Sequence, residues 1–135
     1  MSKNNESGGK KNDQLKPDIS LIPTDAIWGT AAALSYGAKK YDRHNFRKGI
    51  SYSRLVAACM RHLTAWNEGE EIDLESSLSH IDHAMASLAM LKYMMCNVQE
   101  MDDRFIIPKN DTESQKNTDQ SSYVMGMGVV HERGK

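Results

Sequence analysis

Cysteine is scarce in this 135-residue sequence, with only Cys59 and Cys96 present. Both fall inside apolar helical patterns, which excludes a disulfide framework and reads as small core residues in a reducing compartment. No apolar run approaches the length needed to span a bilayer. The N-terminus lacks the apolar stretch of a signal peptide, so the cytoplasm is the expected location, with no membrane partner. The formal net charge is only −1. No basic surplus is available to drive direct nucleic-acid binding. The central region carries almost no alternating strand pattern, and no internal repeat is visible.

What remains is helical. Residues 1–15 are rich in Lys, Asn, Gly, Ser and Asp, and cannot bury enough apolar surface to offset their ordering entropy. They are expected to form a disordered lead. The stretch 109–120 reads the same way. The core therefore falls within residues 16–107, a modest size that gains from self-association into a homodimer or larger homo-oligomer. The tail, residues 108–135, holds the apolar, glycine-interrupted run Ser121–Val130, expected to be an arm against a partner subunit.

Within the core, Lys16–Pro23 is an extended lead-in. Thr24 and Asp25 are expected to cap a first helix over Ala26–Lys40. Asp42–Ile50 reads as a loop turning at Gly49. A second helix is expected over Ser53–Asn67, with Leu55, Ala58, Cys59, His62 and Trp66 on one face at 100° per residue. Asp73 is placed to cap a third helix over Leu74–Asn97, with Glu75 near its positive end. On that helix Leu78, Ile81, Met85 and Leu88 make an apolar stripe. Ser76, His80, His83 and Ser87 make a polar stripe beside it, where a helical bundle places a site.

The chemistry-bearing residues gather around that polar stripe. His80 and His83 stand three apart on one helix face and can address one metal or one phosphate. His62 points inward from the preceding helix. Glu70, Glu71, Asp73 and Glu75 lie in and just after the connection, adding oxygen donors for Mg²⁺ or Mn²⁺. Purely structural roles are the alternative. His62 would bond a backbone carbonyl, the other two imidazoles would satisfy a polar seam, Asp73 would only cap, and Glu75 would only serve the helix dipole. Asp82 lies about 160° around the helix from His80 and is expected to face solvent. Lys39, Lys40, Arg43, Lys48, Arg54 and Arg61 supply positive charge suited to a polyphosphate, or else a solvated face. Tyr41, Asn45 and Phe46 offer rings and an amide for a base. Trp28 and Trp66 are further candidates, although Trp66 shares a face with Leu55 and Cys59 and is expected in the core.

The ordered runs KPDISLIP, YGAKKYDRHNF, KGISYSRL, RHLTAW, GEEIDLES and HIDHA, spread over residues 16–93, resemble the N-terminal domain of the phage dATP/dGTP diphosphohydrolases. The resemblance implies an all-α, compact helical bundle of the MazG-like pyrophosphohydrolase type, commonly with a site built across a dimer. It implies metal-dependent hydrolysis of dGTP and dATP to monophosphate and pyrophosphate, and a link to 2-aminoadenine DNA. On this reading His80, His83 and Glu70 are catalytic. His62, Glu70, Asp73, Glu75, His80 and His83 hold Mg²⁺ or Mn²⁺. Lys39, Lys40, Tyr41, Asn45, Phe46, Arg54 and Arg61 bind substrate. One departure is visible: MazG-like enzymes carry ExxE on one helix and ExxD on the next, and here His80 and His83 replace the second half, with Glu70 and Asp73 only approximating the first. Two other functions stand beside this one. An HD-type triphosphohydrolase would need a His-Asp dipeptide, which the sequence lacks. A non-catalytic helical partner protein would show no metal-dependent loss of dGTP.

Overall fold

The computed structural model describes residues 8–109. Three α-helices carry the fold: α1 (Thr24–Lys40), α2 (Tyr52–Asn67) and α3 (His80–Asn97). No strand is present among the described residues, only an isolated antiparallel bridge between Ile72 and Ser79. The all-helical expectation therefore holds. The Ser121–Val130 arm lies outside the described residues. No described helix is long and apolar enough to cross a membrane.

The element that organises the others is α3, since both α1 and α2 pack against it. Its fully buried Met94 meets Tyr52 and Leu55 of α2, and Phe46, Ile50 and Leu91 close around them. Burying a methionine of this size stabilises by about 1.5–3 kcal/mol. On α2 the buried residues Leu55 and Cys59 follow the i, i+4 spacing read from the sequence. Trp66, expected in the core with them, is instead 43% exposed. It sits in the last turn of α2, past the buried residues Tyr52, Leu55 and Cys59.

The starts of the first and third helices and one stripe differ from expectation. The first helix starts at Thr24, directly after Pro23, so Thr24 and Asp25 lie inside its first turn and Asp25 serves the dipole without capping. The third helix begins at His80, six residues later than the pattern suggested. The reason is local. Asp73 accepts the Ser76 N–H at 3.0 Å and so caps a turn, not a helix. Ser77 then takes a left-handed φ of 61°, which breaks any helical path. Ser79 supplies the cap of α3, accepting the Ile81 N–H at 3.1 Å. The stripe of Leu78, Ile81, Met85 and Leu88 is not the buried one, and Leu88 is 52% exposed. His80, Ala84, Ala86, Ser87 and Met94 are buried in its place. The stripe read as polar is the deeper of the two.

Asp82 also departs from expectation. Its carboxylate lies against Gly29 of α1, where an added Cβ would collide with it and come within 3.1 Å of the Met85 methyl. The missing side chain at Gly29 lets α1 and α3 approach.

A C-terminal strap completes the fold. The φ of 114° at Gly49 turns the chain into α2 and leaves room for Met101. Asp103 then accepts the Ser53 N–H at 2.9 Å and the Ser53 hydroxyl. Ser51 gives α2 no side-chain cap, so a carboxylate fifty residues away performs that task. Bonding to Ser53 holds the Asp103 carboxyl below its usual range, and bonding to Arg104 holds Asp102 at about 2. Both folded values are depressed, so their stabilisation is complete above the unfolded carboxylate value of about 4 and declines as pH falls toward 2. Asp103→Ala is accordingly expected to lower the melting temperature at pH 7, and the difference from the parent should shrink steadily on acidification below about pH 4.

Candidate metal centre and adjoining cavity

The segment between α2 and α3 is folded so that Glu70 faces His80 and Asp73 faces His83 at the start of α3. The Asp73 N–H bonds the Leu78 carbonyl at 2.8 Å, and the His80 N–H bonds the Glu71 carbonyl at 3.1 Å. These two backbone bonds lay Glu70 and Asp73 beside the first turn of α3.

Three imidazoles meet there. His62 and His80 place their Nδ1 atoms 2.9 Å apart. His62 stacks on His83, with ring centroids 4.6 Å apart and planes within 11°. Burial, then the neighbouring His83 and His80, hold His62 below the usual histidine value, which keeps it neutral and able to offer a lone pair. Such close imidazoles tolerate each other only when they are not all charged.

One atom in this cluster is unsatisfied. His80 is 5% exposed, and its Nε2 is buried without a hydrogen-bond partner. The nearest charged group is Glu70, whose Oε1 lies 3.4 Å away. A buried ring nitrogen without a partner is costly. A cation at that nitrogen removes the cost. His62, Asp73 and His80 each bring one donor atom within 4.8 Å of the others, which is the compactness of a metal site. The residues present therefore fit a divalent cation. A set of two imidazole nitrogens and one carboxylate suits Mn²⁺ better than Mg²⁺, which prefers oxygen.

Asp73 is held in its ionised form, first by its bond from the Ser76 hydroxyl, and also by the Ser76 N–H and His83. Glu75 is engaged elsewhere. Its carboxylate meets Lys40 Nζ at 2.5 Å, so it ties α1 to the segment and is not one of the converging donors. Tyr36 was not singled out by sequence reasoning, yet its ring sits edge-on to His83 with centroids 6.0 Å apart. Its spacing, i and i+4 with Lys40 on α1, is the signal that could have found it.

Tyr41 and Phe46 meet around the C-terminal end of α1. Tyr41, Asn45, Phe46, Gly37 and Met90 line a largely apolar cavity of about 130 Å³. Its floor is firm: Phe46 packs edge-on to Tyr93, and the Arg47 guanidinium lies over both rings. Met90 follows His83 by two helical turns, about 10 Å along α3. Lys39, Arg54 and Arg61 are exposed and make no ion pair among the described residues. Trp28 is 72% exposed and lies outside this cavity. The site thus draws together His62, Glu70, Asp73, His80 and His83, sets Tyr41, Asn45 and Phe46 nearby, and leaves Arg54 and Arg61 on the surface of α2.

The family model for dATP/dGTP diphosphohydrolase, N-terminal, matches residues 6–104. A dATP/dGTP diphosphohydrolase of Salmonella phage PMBT28 is 33% identical over 96 residues, covering 71% of this chain. That alignment takes in 33% of the phage protein, so the chain spans about a third of the relative's length. No solved structure matches.

Proposed function

Because the chain belongs to the dATP/dGTP diphosphohydrolase N-terminal family, we propose that it hydrolyses dGTP and dATP to the monophosphate and pyrophosphate with a divalent metal. The observation that carries this reading is the orphaned, buried His80 Nε2 beside Glu70, within a cluster of neutral nitrogen and ionised oxygen donors. His62, Asp73 and His80 hold the cation, with Glu70 at its edge. When bound, it supplies Lewis-acid stabilisation of the triphosphate oxygens and acidifies water. Lys40, anchored by Glu75 and lying 5.6 Å over the Tyr41 ring, links the phosphate side to the cavity. The purine occupies the cavity between Tyr41, Asn45 and Phe46. Water adds to the α-phosphorus, the bond to the β-phosphate oxygen breaks, and pyrophosphate leaves.

This reading places the protein in phage purine deoxynucleotide metabolism in the host cytoplasm, in a position to supply dGMP for 2-aminoadenine DNA. It also assigns a second copy to the outer face of α2, where Val56, Met60 and Leu63 are exposed at i, i+4 and i+7.

The test is incubation with each of the four dNTPs plus Mn²⁺ or Mg²⁺, with products resolved by chromatography. Pyrophosphate and monophosphate from the purine substrates are expected. Intact triphosphate would indicate a triphosphohydrolase, and no turnover would indicate a non-catalytic protein; either result overturns the proposal. A second arm uses Gly37→Leu. An added Cβ at Gly37 meets nothing within 4 Å, and the residue lines the cavity. The leucine should fill the cavity and raise KM for dGTP strongly, leaving Mn²⁺ binding unchanged. Replacing a glycine in the last turn of α1 should cost the helix nothing, and an unchanged melting temperature separates lost affinity from unfolding.

A further inference from the structure

Ser76 has more bonds than a loop serine needs. Its Oγ lies 2.7 Å from Asp73 Oδ2 and 2.6 Å from His83 Nε2, and it accepts the Leu78 N–H at 3.2 Å. A serine hydroxyl has one proton to give and two lone pairs to receive with. The Leu78 amide can only donate, so it takes one lone pair. The Asp73 carboxylate can only accept, so it takes the proton. His83 is left facing the second lone pair, and the 2.6 Å contact is favourable only if its Nε2 carries hydrogen and donates.

We propose that Ser76 is a positioning residue that fixes His83 in the Nε2–H tautomer and leaves Nδ1 as that ring's only accepting nitrogen. The two histidines of the HxxH pair then differ in role. His80 offers Nε2, the orphaned atom, while His83 has Nε2 committed to Ser76 and offers Nδ1. The same hydroxyl turns Asp73 toward the cluster, so one side chain sets the orientation of both a carboxylate and a base. The proton count itself needs no substrate. Its catalytic consequence rests on the hydrolase reading above.

The test is a long-range ¹H–¹⁵N spectrum of the metal-free full chain, at a pH above the histidine titrations. His83 is assigned by the signal lost in His83→Gln. A protonated Nε2 and a bare Nδ1 are expected in the parent. Ser76→Ala should move His83 toward a mixture of tautomers, and Ser76→Thr, which keeps the hydroxyl, should restore the parent pattern. With dGTP and Mn²⁺, Ser76→Ala should lower kcat by about 10- to 100-fold with KM little changed, and Ser76→Thr should recover most of it. A parent His83 protonated at Nδ1, or an identical His83 spectrum in Ser76→Ala, overturns the proposal. Since the parent spectrum alone is decisive, a Ser76→Ala chain that fails to fold does not rescue it. If the tautomers behave as stated while the parent leaves every dNTP intact, the hydrolase reading fails and the tautomer assignment stands.

Discussion

His80→Ala is expected to abolish Mn²⁺ binding and to lower dGTP turnover by at least about 100-fold, with helical circular dichroism unchanged. The size follows from the chemistry: a bound cation contributes several kcal/mol to stabilising a charged transition state, and each 1.36 kcal/mol is about tenfold in rate. The fold should tolerate the change because Ser79, not His80, caps α3, and the nearby Ala84 is itself small. Losing the partnerless Nε2 offsets the loss of the Nδ1 contact with His62. A second signature separates this from general damage. Part of what holds His62 below the usual histidine value comes from His80, so the His62 titration should move upward in the variant. Unchanged turnover would remove His80 from the site.

Asp73→Asn tests the oxygen side of the same centre. The amide can keep accepting from the Ser76 N–H and hydroxyl, so the turn survives, while the negative charge is lost. Turnover should fall about 100-fold or more, and Mn²⁺ affinity should fall with it. The pH dependence of stability should change in a defined direction. In the parent, Asp73 is held below its usual range by Ser76, so its stabilisation is full above the unfolded carboxylate value and is lost as pH falls through the depressed folded one. The asparagine variant should lack that acid-side loss. Thermal melts of both proteins across the acid range check it. Parallel decline in the two would show that Asp73 makes no linked contribution.

The helices were legible where the chain obeys a period. Leu55 and Cys59 fall on the buried face of α2, and His62 on the face that meets His80. The start of α3 was not legible, because every residue from Leu74 to Ser79 tolerates a helix. What prevents one is the side chain of Asp73 bonding its own neighbours, a choice that propensity does not encode. Asp82 was misplaced for a different reason. A helical wheel gives its angle but not the position of Gly29, whose missing side chain admits the carboxylate. Glu75 carried both a ligand and a dipole reading in the sequence. The structure gives it a third partner in Lys40, thirty-five residues earlier, at a separation no local pattern can report. The bonding of Ser76 became visible only once the turn and α3 were brought together, whereas the spacing of Tyr36 from Lys40 was there to be read.

The arrangement of the helices has an implication for how such a molecule can change. The imidazoles come from α2 and α3, whereas Tyr36, Gly37 and Lys40 belong to α1 and Tyr41 follows directly at its end, with the Tyr36 ring edge resting on His83. A small tilt of α1 would carry these side chains together as one rod, and it would reach the imidazoles through the Tyr36–His83 contact. On the proposed hydrolase reading, preference among bases is thus open to retuning through the seating of one rod, which meets the imidazoles at the edge of the Tyr36 ring.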